Sequence, residues 1–203
     1  MRSACTIFVP LMKILVIDNY DSFVYNIVQL LRETSRTVNF DVTFNDQIDF
    51  DKLPEYNGLL LSPGPGIPSE AGNLLPLIRH CRQTHSILGI CLGLQAIAES
   101  FGARLKHLDS PLHGHISRLR IADKHDPLTG DLPQPVVVGR YHSWVVDEAS
   151  LPDCLQVGSY DEDGNIMSLY HKNLPIYGLQ FHPESYMSNC GIGILEHWID
   201  RIG

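Results

Sequence analysis

A chain of 203 residues with 44% hydrophobic and 19% charged side chains is long enough to bury one sizeable core and has an ordinary globular composition, which excludes disordered and fibrous classes. Its formal charge of -8 argues against a nucleic-acid partner, because phosphate binding needs clustered Lys and Arg and no such run occurs. Five cysteines, Cys5, Cys81, Cys91, Cys154 and Cys190, are odd in number and lack CxxC spacing, which speaks against a disulfide framework and a zinc site and for a reducing cytoplasm.

Residues 1–11 (MRSACTIFVPL) are too short for a signal peptide with a full apolar core, and no run in the chain approaches a membrane span. Met12 stands directly before the first strand, so 1–11 read as an extension or a misplaced start, with the working domain at 12–203. Lys13 to Asp18 (KILVID) has buried-strand length, and Asp21 or Ser22 is placed to cap a helix running to about Arg32. Asp41 to Phe44 is a weaker strand. Residues 57–62 (NGLLLS) and 86–90 (SILGI) are continuously apolar, as strands covered on two faces are, and Leu92 to Phe101 reads as a helix. This alternation predicts an α/β fold with an open mixed, mostly parallel sheet and helices on both faces.

From about Arg104 the apolar stretches shorten. Residues 116–121, 136–138, 155–159, 166–170 and 176–181 are broken by Pro, Gly and Asp, which predicts a smaller antiparallel sheet in the second half, with a turn at Asp163-Gly164. Ile194, Leu195, Trp198, Ile199 and Ile202 have the spacing of an amphipathic helix over 192–202.

Three stretches carry chemistry. In Gly89-Ile90-Cys91-Leu92-Gly93 the G-x-nucleophile-x-G form predicts a sharp strand-to-helix turn, with glycines where the turn crowds a β-carbon. A cysteine at a helix N-terminus is favoured as thiolate, and the same turn aims the Leu92 N–H at an oxyanion formed by attack. The competing reading is a core cysteine at a strand end. Ser62 to Pro68 (SPGPGIP) directly follows a strand, where open α/β sheets bind ligands; its prolines stiffen the loop, and Gly64 and Gly66 let the backbone approach a ligand. The competing reading is a rigid turn. Neither GK[ST] nor GxGxxG is present, so a phosphate loop is a poor competitor. In Gln180 to Glu184 (QFHPE), an extended chain projects His182 and Glu184 to one side, so that Glu184 holds Nδ1–H and Nε2 exchanges a proton with the thiol. Of ten histidines, His142 in RYHSW is the rival, but its i+2 neighbour is Trp144.

Together these segments resemble the class I (triad) glutamine amidotransferases, and among them the components that supply ammonia to anthranilate synthase and aminodeoxychorismate synthase. The resemblance runs through ILVIDNYDSFVYN (14–26), LLLSPGPGIPSEAG (59–72), GICLGLQAIAESFGA (89–103), GRYHSW (139–144) and YGLQFHPES (177–185). It implies that Cys91 attacks the glutamine carboxamide, that His182, oriented by Glu184, protonates the departing ammonia, and that the Gly64 and Leu92 N–H groups form the oxyanion hole. It implies further that Gly64, Pro65, Gly66, Gln95, Ser143 and Trp144 hold glutamine. The implied partner is a separate chorismate-using synthase chain, without nucleic acid or membrane. No cofactor is implied, and the sequence offers no metal-ligand cluster of its own. GIPSEAG (66–72) looks more like the tryptophan-pathway version than the folate one. Leu94 and Trp144 depart from the family's histidine and leucine. Competing functions are a γ-glutamyl peptide hydrolase and a non-catalytic binding subunit.

Overall fold

The structure, a computed structural model, describes residues 12–202 apart from the side chains of 109–111 and 113; the expected extension at 1–11, with Cys5, lies outside the described residues. Strands β1 (Met12–Asp18), β2 (Val38–Phe44), β3 (Gly58–Leu61) and β4 (Ser86–Ile90) alternate with helices α1 (Val24–Glu33), α2 (Leu74–Cys81) and α3 (Leu92–Ser100). The second half holds β5 (Leu105–Arg118), β6 (Arg120–Ile121), β7 (Val137–Val146), β8 (Leu155–Tyr160), β9 (Ile166–His171), β10 (Ile176–Leu179) and α4 (Gly191–Ile199). Eight strands form one sheet in the order β2-β1-β3-β4-β10-β9-β8-β6, while β5 and β7 form an antiparallel ribbon. The pairings from β2 through β10 are parallel and those from β10 through β6 antiparallel, which is the mixed sheet expected.

Alternation along β1 explains the layering, since successive side chains of a strand point to opposite faces. Ile14 and Val16 pack with Val24, Ile27 and Leu31 of α1 and with Ile194, Leu195 and Trp198 of α4. Leu15 and Ile17 pack with Leu74, Leu77 and Ile78 of α2 and with Leu92, Ala96 and Ile97 of α3. Helices therefore cover both faces. Trp198, fully buried, also donates its indole N–H to Ser86 Oγ at 3.0 Å, tying α4 to the start of β4.

The structure differs from the sequence reading in five places. Helix α2 has no counterpart there; it accommodates Pro76 in LLPLIRHC because, in the first turn, the missing N–H costs no intrahelical bond. Strand β2 starts at Val38, earlier than Asp41, and the ribbon strands are longer than their apolar stretches. Neither Asp21 nor Ser22 caps α1: Phe23 stands at the N-cap without a side-chain bond, and Asp21 Oδ1 instead accepts from the Phe23 N–H at 2.7 Å in a local turn. Finally, β10 ends at Leu179, and a turn closed by the Ser185 N–H on the His182 carbonyl at 3.2 Å replaces the extended course expected through Glu184.

Candidate active site

Four parallel strands deliver their following loops to one edge of the sheet, the edge at which open α/β sheets bind ligands. Asn19 follows β1, Ser62 to Gly66 follow β3, Cys91 follows β4, and Gln180 to Glu184 follow β10. Asn19 fastens the first two loops together: its N–H donates to Ser62 Oγ at 2.9 Å and its Nδ2 to the Ser62 carbonyl at 2.8 Å.

Cys91 occupies the predicted elbow. Its φ of 51° and ψ of -101° lie in a region that side chains rarely adopt, and it stands immediately before α3. The flanking glycines make the turn sterically feasible. A Cβ on Gly89 would lie 2.4 Å from the Gly93 carbonyl carbon, and one on Gly93 would lie 2.6 Å from the Leu61 carbonyl oxygen. Leu92 is the first residue of α3, so its N–H has no acceptor within the helix. Gly64 packs tightly beside it, where a Cβ would meet Leu92 Cδ2 at 2.7 Å.

His182 and Glu184 meet across the turn rather than along a strand. Pro183 takes the second position, which suits its fixed φ, and His182 Nδ1 lies 2.7 Å from Glu184 Oε1 with both side chains buried. Nδ1–H donates to the carboxylate, so Nε2, which has no hydrogen-bond partner among the described residues, is the nitrogen left to exchange a proton. Burial alone would lower the His182 pKa, but the neighbouring Cys91 and Glu184 outweigh it and raise the value from 6.5 to about 10. The imidazole edge is braced by Phe23 and Tyr141, with ring centroids at 5.6 and 5.0 Å.

A cavity of about 270 Å³ opens over the sulfur. Gly64, Pro65, Gly66, Cys91, Gln95, Ser143 and Trp144 line it together with His107, Tyr141 and His142. The structure thus gathers at one place every residue that the sequence proposes for glutamine, while His182 and Glu184 stand beside the cavity beyond its lining. A larger cavity of about 480 Å³ lies on the far side of Glu184, between α1 and α4, and Cys91 does not line it.

Several site residues escaped sequence reasoning. Arg140 Nη1 and Asp161 Oδ2 form a buried ion pair at 2.6 Å, and Arg140 Nε donates to His142 Nε2 at 3.2 Å. His142 must therefore carry its proton on Nδ1, which donates to the Trp144 carbonyl at 3.1 Å. Burial, then Arg140, pushes the His142 pKa down to about 3, so the ring is neutral and serves as a strut for the cavity wall. GRYHSW contains Arg140 and His142, but only the approach of the residue after β8 reveals Asp161. Gln180, inside QFHPE, also touches the site: its Nε2 donates to Cys91 Sγ at 3.6 Å. Leu94, one of the two departures, is buried against Gly178 and not in the cavity.

Known proteins resemble the chain over nearly its whole length. The family model for class-I glutamine amidotransferases matches residues 15–202. Anthranilate synthase component 2 of Azospirillum brasilense is 43% identical over 192 residues, which are 92% of this chain and 95% of that protein. The aminodeoxychorismate/anthranilate synthase component 2 of Bacillus subtilis is 41% identical over 191 residues, with the same coverage of 92% and 95%. Among solved structures, a candidate GMP synthase component from Thermoplasma acidophilum superposes with a TM-score of 0.83 at 30% identity, over 95% of this chain and 94% of that one. The chain belongs to the class-I glutamine amidotransferases.

Proposed function

We propose that the protein, through its domain at 12–203, hydrolyses glutamine and passes ammonia to a separate chorismate-using synthase subunit for anthranilate formation. Cys91 attacks the glutamine side-chain carboxamide, the Gly64 and Leu92 N–H groups hold the oxyanion, and His182, oriented by Glu184, protonates the leaving ammonia. Water then releases glutamate from the γ-glutamyl thioester. Each oxyanion donor contributes roughly 3 kcal/mol in acyl-transfer enzymes of this logic. Gly64 to Gly66, Gln95, Ser143 and Trp144 bind the substrate.

The observation that carries this reading is the meeting of a strained elbow cysteine with a buried His182–Glu184 pair beside a glutamine-sized cavity. The names of the relatives support the synthase partner. Ammonia is mostly protonated at neutral pH and is then no nucleophile, so hydrolysis is useful only when docked to the acceptor enzyme. That role and four free thiols among the described residues support cytoplasmic residence; no helix among these residues is long and apolar enough to cross a membrane.

The test supplies chorismate and glutamine with an anthranilate synthase component I. Glutamine-dependent product must vanish in Cys91→Ser while ammonium-dependent product persists, and mass spectrometry must find the glutamyl adduct on Cys91. Product that survives Cys91→Ser with glutamine as the sole nitrogen source would overturn the assignment. The dual name of the Bacillus subtilis relative also fits a second reading, service to aminodeoxychorismate synthase as well; the same assay with that synthase decides it.

A further inference from the structure

A line of buried polar groups leads from the sulfur to the Arg140–Asp161 ion pair, and it fixes an orientation that heavy-atom positions alone leave open. The Trp144 carbonyl can only accept, so the end of the Gln95 amide 2.9 Å from it is the NH2 group. That same NH2 lies 3.3 Å from one end of the Gln180 amide, which must therefore be its oxygen. The opposite end of Gln180, necessarily NH2, is the one 3.6 Å from Cys91 Sγ. Backbone bonds hold both residues in place: the Gln180 N–H donates to Met167 O at 2.8 Å and the Cys91 N–H to Leu179 O at 2.7 Å. Gln180 is fully buried, so no solvent motion competes for its amide.

We propose that Gln180 is a further catalytic side chain, whose amide N–H stabilises the Cys91 thiolate as nucleophile and again as leaving group. The inference rests on Cys91 being the nucleophile. In acylation the sulfur electron pair forms the C–S bond, the C–N bond breaks, and the nitrogen leaves as ammonia with the proton from His182. In deacylation water adds to the thioester carbonyl as His182 takes one of its protons. The C–S bond then breaks with its electron pair on sulfur, regenerating the thiolate that faces the Gln180 N–H. A donor to the sulfur assists this second departure, a role that the oxyanion hole does not fill.

Gln180→Met removes the N–H at nearly constant volume. The other titratable groups around the sulfur are His182 with Glu184 behind it, Tyr141 and His142 of β7, and His107 of β5, and the substitution leaves all of them in place. Alkylation of Cys91 by iodoacetamide, followed across pH by peptide mass, is expected to slow about tenfold at pH 7, the effect of one hydrogen bond to a charged group. Its profile should move up by about one pH unit. A profile superimposable on that of the unmodified chain would overturn the role. Should Gln180→Met not fold, NMR of the unmodified protein decides: the Gln180 side-chain N–H signals must titrate with the alkylation midpoint, and signals unmoved across it count against the inference. A wild type that neither alkylates at Cys91 nor turns over glutamine with a synthase removes the proposed function itself. Full turnover with an unmoved variant profile removes only Gln180.

Discussion

His182 and His142 are near enough to feel one another's charge, and their surroundings drive their pKa values in opposite directions. Contact with Cys91 and Glu184 raises His182 to about 10 against the cost of burial. A raised value stabilises the fold fully below the ordinary 6.5 and loses that contribution as pH climbs toward 10. The gap in unfolding temperature between wild type and His182→Asn should therefore be widest near pH 6 and narrow steadily in alkali; a gap that widens there would contradict the assignment. His142, lowered to about 3 by burial and by Arg140, behaves conversely: the unfolded chain takes up a proton that the folded chain refuses. It weakens the protein as pH falls from 6.5 toward 3, and His142→Gln should flatten that acid limb in thermal melts recorded over the same interval.

At the scale of elements, the elbow between β4 and α3 depends on two missing side chains. Gly93→Ala would drive a methyl into the Leu61 backbone, which cannot yield as a side chain could, and should cost about 2 kcal/mol. Alkylation of Cys91 should slow with it, because relief of the clash moves the first turn of α3. Gly164→Ala is the control. Gly164 has a positive φ, 81°, but open space around it, so about 1 kcal/mol of backbone strain is expected with alkylation unchanged. Chemical denaturation of the two variants separates crowding from conformation.

Across the whole molecule, the Arg140–Asp161 pair links the ribbon to the far end of the main sheet. Asp161 also accepts from the Asp163 and Asn165 N–H groups at 3.0 and 2.7 Å, closing the turn that the Asp163-Gly164 signal predicts. Asp161→Asn leaves a buried guanidinium without its counter-charge and should destabilise the fold by about 3 kcal/mol in urea titration. It should also weaken glutamine binding, since Arg140 orients the His142 that braces the Trp144 carbonyl.

What rests on near neighbours is legible in the amino-acid order. Buried strands with two-sided apolar runs, a glycine-flanked cysteine, a proline-stiffened loop and the pairing of His182 with Glu184 are all readable within five or six residues, because backbone sterics and side-chain period act over that range. Even there the means differ: a proline turn, not an extended strand, brings the imidazole to its carboxylate. Folding in three dimensions settles what depends on separation: Asn19 fastening the Ser62 loop, Asp161 reaching Arg140, and the orientation of Gln180 toward the sulfur. Those contacts join segments whose distance along the chain leaves no local trace, and only the stacking of parallel strands, which carries their carboxyl ends to one edge, creates them.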